Sequence, residues 1–385
     1  MTVQDGFFLL LSHALCEREL TEETLAELRT VDLASLHRLA LSQDLAHLVG
    51  SALDSLGLLS DDGASSLFRS SMLQAALRCE RQRYECERIY ALLEAEGIAF
   101  LPLKGAVLRD LYPIPWWRTS CDVDILVREE ELSRAASLLS ERLGYTAERQ
   151  RSYHDLSLYA ENGVHLELHF SLLENDARLD RVLSRVWDYA APVCEGSSRM
   201  ALTREFLLFH QLAHMAYHLL CGGCGVRPFL DVFCLRERLS PDAEALSPLL
   251  REASLEDFYR GVLSLLSVWL LGEEATPFTN DAQRYLLEGG VYGSAPNAMA
   301  VRSREGKDGL RYLLGRLFPS YTELSHIYPV LRRHPWLMPL MTVRRWGSAL
   351  FHGGPRRLLR MLRPKASPSA EKKERAERLL AELGL

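Results

Sequence analysis

Three carboxylates fall on two stretches of alternating residues. In SCDVDILV at 120–127, Asp122 and Asp124 share one face and Val123 and Ile125 the other, because strand side chains alternate with period two. In GVHLELHF at 163–170, His165, Glu167 and His169 share one face, and Leu166, Leu168 and Phe170 the opposite one. If the two strands are neighbours, Asp122, Asp124 and Glu167 converge. Three carboxylates at one point repel unless cations neutralise them. Mg²⁺ or Mn²⁺ suits such a set, since these hard ions take oxygen ligands and keep several waters. Two such ions clamp the attacking and leaving oxygens of an in-line phosphoryl displacement. Asp122 and Asp124 are thus expected as metal ligands, with Glu167 as the third ligand or as a base. An isolated Asp-x-Asp more often marks a solvated edge or turn. Here the pair lies inside an apolar strand, with a third carboxylate after it and a strand–Lys–Gly–helix unit before it.

That unit begins with an apolar strand over 98–103, turns at Lys104-Gly105 and continues as a helix from Ala106 to about Leu111. Glycine lets a backbone approach a phosphate, and a helix N-terminus favours anions. Lys104 is expected to touch a triphosphate there. Tyr112-Pro113-Ile114-Pro115 breaks the helix. Arg118 can fork onto phosphate oxygens and Ser120 can add its hydroxyl. Trp116 and Trp117 are expected to pack rather than to stack on a base. Residues 129–143 read as an amphipathic helix capped by Gly144. Strands follow over 145–149, 155–160 and 164–170, the last two joined by an Asn162-Gly163 turn. His154 and His169 lie near enough to belong to the site, although a structural histidine is the commoner reading. The fold class expected is α+β: a small mixed sheet with helices on one side.

Helical regions flank this core. Four divisions are expected: a helical region at 1–96, the core at 97–190, a second helical region at 191–365, and a linker with a short charged helix at 366–385. In the first, Thr21 caps a helix to Leu28, and 36–56 is periodic throughout. A long helix over about 62–96 presents Leu67, Met72, Leu73, Ala76, Leu77, Tyr84, Ile89, Leu92 and Leu93 inward. In the second, His210, His214 and His218 form one stripe of the helix 204–220. No carboxylate accompanies them in sequence, and a hydrogen-bonded wall is expected rather than a metal site. Arg227 and Asp231, four apart, read as an intrahelical pair. Cys221-Gly-Gly-Cys224 with His214 and His218 has zinc-like spacing, but Gly-Gly equally suits a helix end. Residues 325–365 carry nine Lys/Arg and no acid. That segment suits a weak membrane or other anionic contact, or the rim of a triphosphate pocket.

Several of these motifs together resemble the bacterial family of uncharacterised nucleotidyltransferases with the DNA-polymerase-beta-like fold. The residues that carry the resemblance are Lys104-Gly105, Tyr112-Pro113, Arg118, Asp122 through Val127, Gly144-Tyr145 and Glu167-Leu168-His169-Phe170. Further along are His214, His218, Arg227 and Asp231, the GGVYG near 289–293 and the LFPSY at 317–321. The resemblance implies transfer of a nucleoside monophosphate from an NTP such as ATP to an unidentified acceptor, with release of pyrophosphate. It also implies that His214, His218, Arg227 and Asp231 face the cleft, where Arg227 could meet a phosphate or the acceptor. The alternative is an inactive nucleotide- or partner-binding module on the same fold.

The net charge of −6 over 385 residues gives no general attraction to nucleic acid, so a small-molecule, peptide or protein acceptor is favoured. Eight scattered cysteines do not make a disulfide framework, and free thiols are expected. The first residues lack the basic start of a secretory signal, and no apolar run is long enough to span a bilayer. The cytoplasm is the expected location.

Overall fold

The computed structural model describes residues 1–148, 151–290, 330–346 and 370–385, with isolated positions between 318 and 328. The residues of GGVYG from 291 on, most of LFPSY, the 347–365 part of the basic segment and the 366–369 linker lie outside the described residues.

The chain opens with helices α1 (Val3–Cys16), α2 (Glu22–Leu28), α3 (Leu33–Ser42), α4 (Ala46–Ser55) and α5 (Gly63–Ala95). Thr21 caps α2 through its hydroxyl, as its type predicts. The periodic run over 36–56 is two helices rather than one. It breaks at Asp44, whose φ of 54° is tolerated best by Gly, Asn and Asp. α5 runs as expected, and Ile89 and Leu93 face inward as expected, but before them a different face is inward. Leu67, Leu73, Leu77 and Tyr84 are exposed, whereas Phe68, Ala75, Cys79, Gln82, Glu85, Cys86, Ile89 and Leu93 are buried. Two polar residues on the buried face, Gln82 and Glu85, hide its periodicity in the sequence.

The sheet has five strands: β1 (Phe100–Leu103), β2 (Asp122–Val127), β3 (Thr146–Ala147), β4 (Asp155–Tyr159) and β5 (His165–His169), in the order β1-β2-β5-β4-β3. β2 and β5 are parallel, and the other neighbours are antiparallel. Between β1 and β2 lies α6 (Gly105–Leu108), shorter than expected and continued by a 3₁₀ turn over Arg109–Leu111. α7 (Leu132–Leu143) ends at Gly144, whose φ of 75° makes the left-handed cap. Gly163 closes the β4–β5 hairpin at a φ of 84°.

One sheet face, with Val123, Ile125, Val127, Leu166 and Leu168, is sealed by Ile89 and Leu93 of α5 and by Leu132, Ala135 and Leu139 of α7. The opposite face is not bare, contrary to a sheet covered on one side. Leu101, Leu103 and Leu126 join a larger core that includes Leu48 and Val49 of α4. The same core takes in residues of α8 (Ala177–Leu183), α9 (Arg204–Leu220), α10 (Arg227–Leu239) and the C-terminal helix Ala370–Glu382. Helices before and after the sheet thus share one apolar core. No helix among the described residues is long and apolar enough to cross a membrane.

Candidate active site

Parallel pairing of β2 with β5 sets Asp122 opposite His165, Asp124 opposite Glu167 and Leu126 opposite His169. Residues opposite one another point the same way, so both Asp residues, Glu167 and two histidines share the face that looks away from α5 and α7. Of that face, Asp122, Asp124, Glu167 and His169 line a cavity of about 450 Å³, within the usual range for a small-molecule site. Every residue singled out from the sequence as a site candidate lines this cavity: Lys104, Gly105, Arg118, Ser120, Asp122, Asp124, His154, Glu167, His169, His214, His218, Arg227 and Asp231.

The carboxylates meet as two overlapping triplets. Potential ligand atoms of Asp124, Glu167 and His169 lie within 4.8 Å of one another, as do those of Asp122, Glu167 and His165. Glu167 belongs to both. His165 shares this face in the sequence pattern but is given no part there; its register opposite Asp122 is what marks it. Asp124 is 1% exposed. Its Oδ1 accepts from Lys104 Nζ at 2.8 Å and from His169 Nε2 at 2.9 Å. The Oε2 of Glu167 lies 3.4 Å from that same His169 nitrogen. Behind His169 the His154 ring stacks at 5.3 Å.

Electrostatics separate the two aspartates. Burial pushes the Asp122 carboxyl up to about 6, assisted by the charges of Asp124 and Glu167. Burial acts on Asp124 in the same sense, but Lys104 and His169 more than offset it and hold that carboxyl well below the usual range. Burial alone would lower the pKa of Lys104; Asp124, with Glu167 and Asp122, raises it instead. Lys104 sits at φ 43°, ψ −121°, a conformation that favours glycine and costs a lysine about 1–3 kcal/mol. The bend after β1 is what turns its side chain to Asp124. The close approach that Gly105 permits is to Ser120: a Cβ at Gly105 would meet Ser120 Oγ at 2.7 Å and its Cβ at 2.9 Å.

The segment 118–121, which delivers β2 to the cavity, is tied down from three sides. Arg118 donates Nε to Asp231 Oδ1 at 2.8 Å, and Tyr112 donates its hydroxyl to the same oxygen at 2.8 Å. Thr119 donates to Asp44 Oδ2 at 3.0 Å. Ser120 donates to the Asp122 carbonyl at 2.8 Å, and Gln82 Nε2 donates to the Ser120 carbonyl at 3.1 Å. The forked contact expected of Arg118 toward phosphate is therefore spent inside the protein. The expected Arg227–Asp231 pair is not formed either. Asp231 pairs with Arg118, and Arg227, at the first turn of α10, pairs with Asp44. Gln82 and Asp44 act across long sequence separations, which no local motif betrays.

The histidine stripe of α9 forms the facing wall, and it does have a carboxylate. Glu174, from the segment after β5, accepts from His214 Nδ1 at 2.8 Å. Burial, with the Lys104 and His218 charges, holds His214 well below its ordinary pKa, so its ring is neutral. With its proton on Nδ1, His214 must accept at Nε2, and His218 Nε2 donates there at 3.0 Å. Burial likewise pushes His210 down to about 3. Cys224 is buried and Cys221 exposed, and neither belongs to a group of potential metal ligands among the described residues.

An α+β chain with an acidic, histidine-flanked sheet face opening on a cavity of small-molecule size is a candidate phosphoryl-group enzyme. A family model described as an uncharacterised nucleotidyltransferase matches residues 29–271, more than half of the chain, and the protein belongs to that family. Comparison with curated proteins returns no match.

Proposed function

We propose that this protein moves a nucleoside monophosphate from an NTP to an acceptor and releases pyrophosphate, with divalent cations held by Asp122, Asp124 and Glu167. The observation that carries this reading is the convergence of those three carboxylates on one face of the β2–β5 pair, open to the cavity. Family membership supports a nucleotide substrate.

The donor set fits a hard or borderline divalent ion. Oxygen ligands dominate, the site keeps room for waters and phosphates, and His165 Nε2 is buried without a hydrogen-bond partner. Such ions, when bound, offset the phosphate charge and polarise the attacking and leaving oxygens. The remaining work falls to the chain. Asp124 is kept ionised at the pH of the cell by Lys104 and His169. The strained turn at Lys104 and the anchored 118–121 segment fix where Asp122 and Asp124 stand. Arg227, which lines the cavity with its side chain 16% exposed, is the cation we assign to the triphosphate, in exchange for its bond to Asp44. The acceptor is assigned to the side of the histidine wall, where neutral His210 and His214 stand with the carboxylate of Glu174. The acceptor oxygen attacks the α-phosphorus, a hydroxyl acceptor giving its proton to Glu167, and the new O–P bond forms as the bond to the departing pyrophosphate breaks.

The test uses NTP labelled at the α-phosphate, incubated with Mg²⁺ or Mn²⁺ and a pool of candidate small-molecule and peptide acceptors. Label should appear in a new product with an equal amount of pyrophosphate. Asp124→Asn should lower the rate on the order of a hundredfold or more, the scale of losing one preorganised electrostatic group. Transfer of the γ-phosphate instead, or full turnover by Asp124→Asn, would overturn the reading. NTP binding without pyrophosphate would favour the inactive module.

A further inference from the structure

We propose that His165 supplies a nitrogen ligand to the cation held by Asp122 and Glu167, so that this position takes Mn²⁺ in preference to Mg²⁺. The inference rests on the metal-dependent reading above and makes the unpaired His165 nitrogen a ligand beside the three carboxylates.

Four observations carry it. One ring nitrogen of His165 lies within 4.8 Å of carboxylate oxygens of both Asp122 and Glu167. Ligand atoms about 2.1 Å from a common ion stand about 3 Å apart when cis and about 4.2 Å apart when trans. The Glu167 side chain is 24% exposed and so is not locked by packing. Second, the His165 Nε2 is buried and has no hydrogen-bond partner. A buried imidazole nitrogen left unpaired is costly, and coordination or an ordered water is the usual remedy. Third, the ring is already oriented: Tyr159 on β4 stacks on it at 4.7 Å with planes 9° apart, and β4 sets Tyr159 opposite His165. Fourth, Asp122 opposite His165 is a strand register, so the pair cannot drift apart without breaking the sheet.

Ligand chemistry then selects the ion. Mg²⁺ holds to oxygen donors and resists losing its waters, whereas imidazole binds borderline transition ions. Two carboxylates, one imidazole and open positions for water and phosphate suit Mn²⁺, which accepts both donor types. The Asp124–Glu167–His169 position differs, because His169 Nε2 is already bonded to Asp124.

The experiment binds Mn²⁺ to the full-length metal-free protein and reads its paramagnetic resonance, with pulsed detection of nitrogen-14 coupling. Competition with Mg²⁺ gives the preference. Wild-type protein should show imidazole nitrogen coupled to bound Mn²⁺ and a preference over Mg²⁺ of about tenfold or more. His165→Phe keeps the stack on Tyr159 but has no nitrogen, and His165→Gln removes the ring. Both should lose that coupling and most of the preference while still binding Mg²⁺, and His169→Gln should keep the His165 coupling. Circular dichroism checks that each variant is folded. Bound Mn²⁺ without nitrogen coupling in the wild type, or coupling unchanged in both His165 variants, overturns the inference and leaves the carboxylate site standing. Failure of the wild type to bind either ion overturns both.

Discussion

At the residue scale the site depends on two aspartates held in opposite electrostatic states. Asp124 is kept ionised by the Lys104 ammonium and the His169 N–H, whereas burial and its acidic neighbours push Asp122 up to about 6 from an ordinary 3.8. The sign of the consequence follows from linkage. Between about pH 4 and pH 6 the folded, metal-free protein holds the Asp122 proton more tightly than the unfolded chain does. Its contribution to stability is therefore fully present below pH 4 and is lost as pH rises through about 6. Other groups titrate over the same range, so the contrast to measure is wild type minus Asp122→Asn. Denaturant unfolding in chelator from pH 4 to 7 should show the variant gaining on the wild type as pH rises. Divalent affinity of the wild type should climb through the same window, because the ion needs the carboxylate. A difference that is flat with pH would mean that Asp122 is not buried among acids in solution.

At the scale of elements, the supporting feature is the 118–121 segment, fastened to α10, to α5 and to the α3–α4 turn. The Arg118–Asp231 pair is buried at both ends, with side chains 7% and 1% exposed. Removing one partner leaves the other charge buried and unpaired, which costs about 3–5 kcal/mol. Arg118→Met and Asp231→Asn should each lose about that much in denaturant unfolding. The double variant should lose less than the sum, since neither charge is then stranded. Strict additivity would show that the pair is not coupled. Each single variant should also weaken divalent binding, because β2 starts where this segment ends.

The elements themselves were unequally legible. β2, β4 and β5 declare themselves through alternation and the Asn162-Gly163 turn, and the shared face of Asp122, Asp124 and Glu167 follows from period two. The register that adds His165 needs the parallel pairing, which no strand encodes alone. α5 was legible in extent and at Ile89 and Leu93 but not in the face it buries before them, since Gln82 and Glu85 are buried by partners far along the chain: Arg109 and Ser120 for one, Tyr145 and Asn162 for the other. The break at Asp44 was hidden because apolar periodicity continues across it. Arg227 and Asp231 look like a helical pair by spacing, yet each finds a closer partner from another element. Glu174 stands outside every motif and meets the histidine stripe only through the chain's path after β5.

At the scale of the whole molecule, the helices on either side of the sheet do more than cover it. They share one apolar core, and they send Asp44 and Asp231 to the segment that carries the acidic strand. The cavity is thus bounded by the sheet on one side and the α9 histidines on the other. Its described lining carries more acids than free cations: Lys104, Arg118 and Arg227 are each paired with an aspartate. A triphosphate entering such a cavity needs added positive charge, and the carboxylate face is where that charge can be held. The most direct measurement is calorimetric titration of NTP into metal-free protein, with and without Mn²⁺ or Mg²⁺, for the wild type and for Asp122→Asn/Asp124→Asn. The account predicts NTP binding that requires the divalent ion and vanishes in the double variant. Equal binding without any divalent ion, or binding retained when both aspartates are neutral, would contradict it.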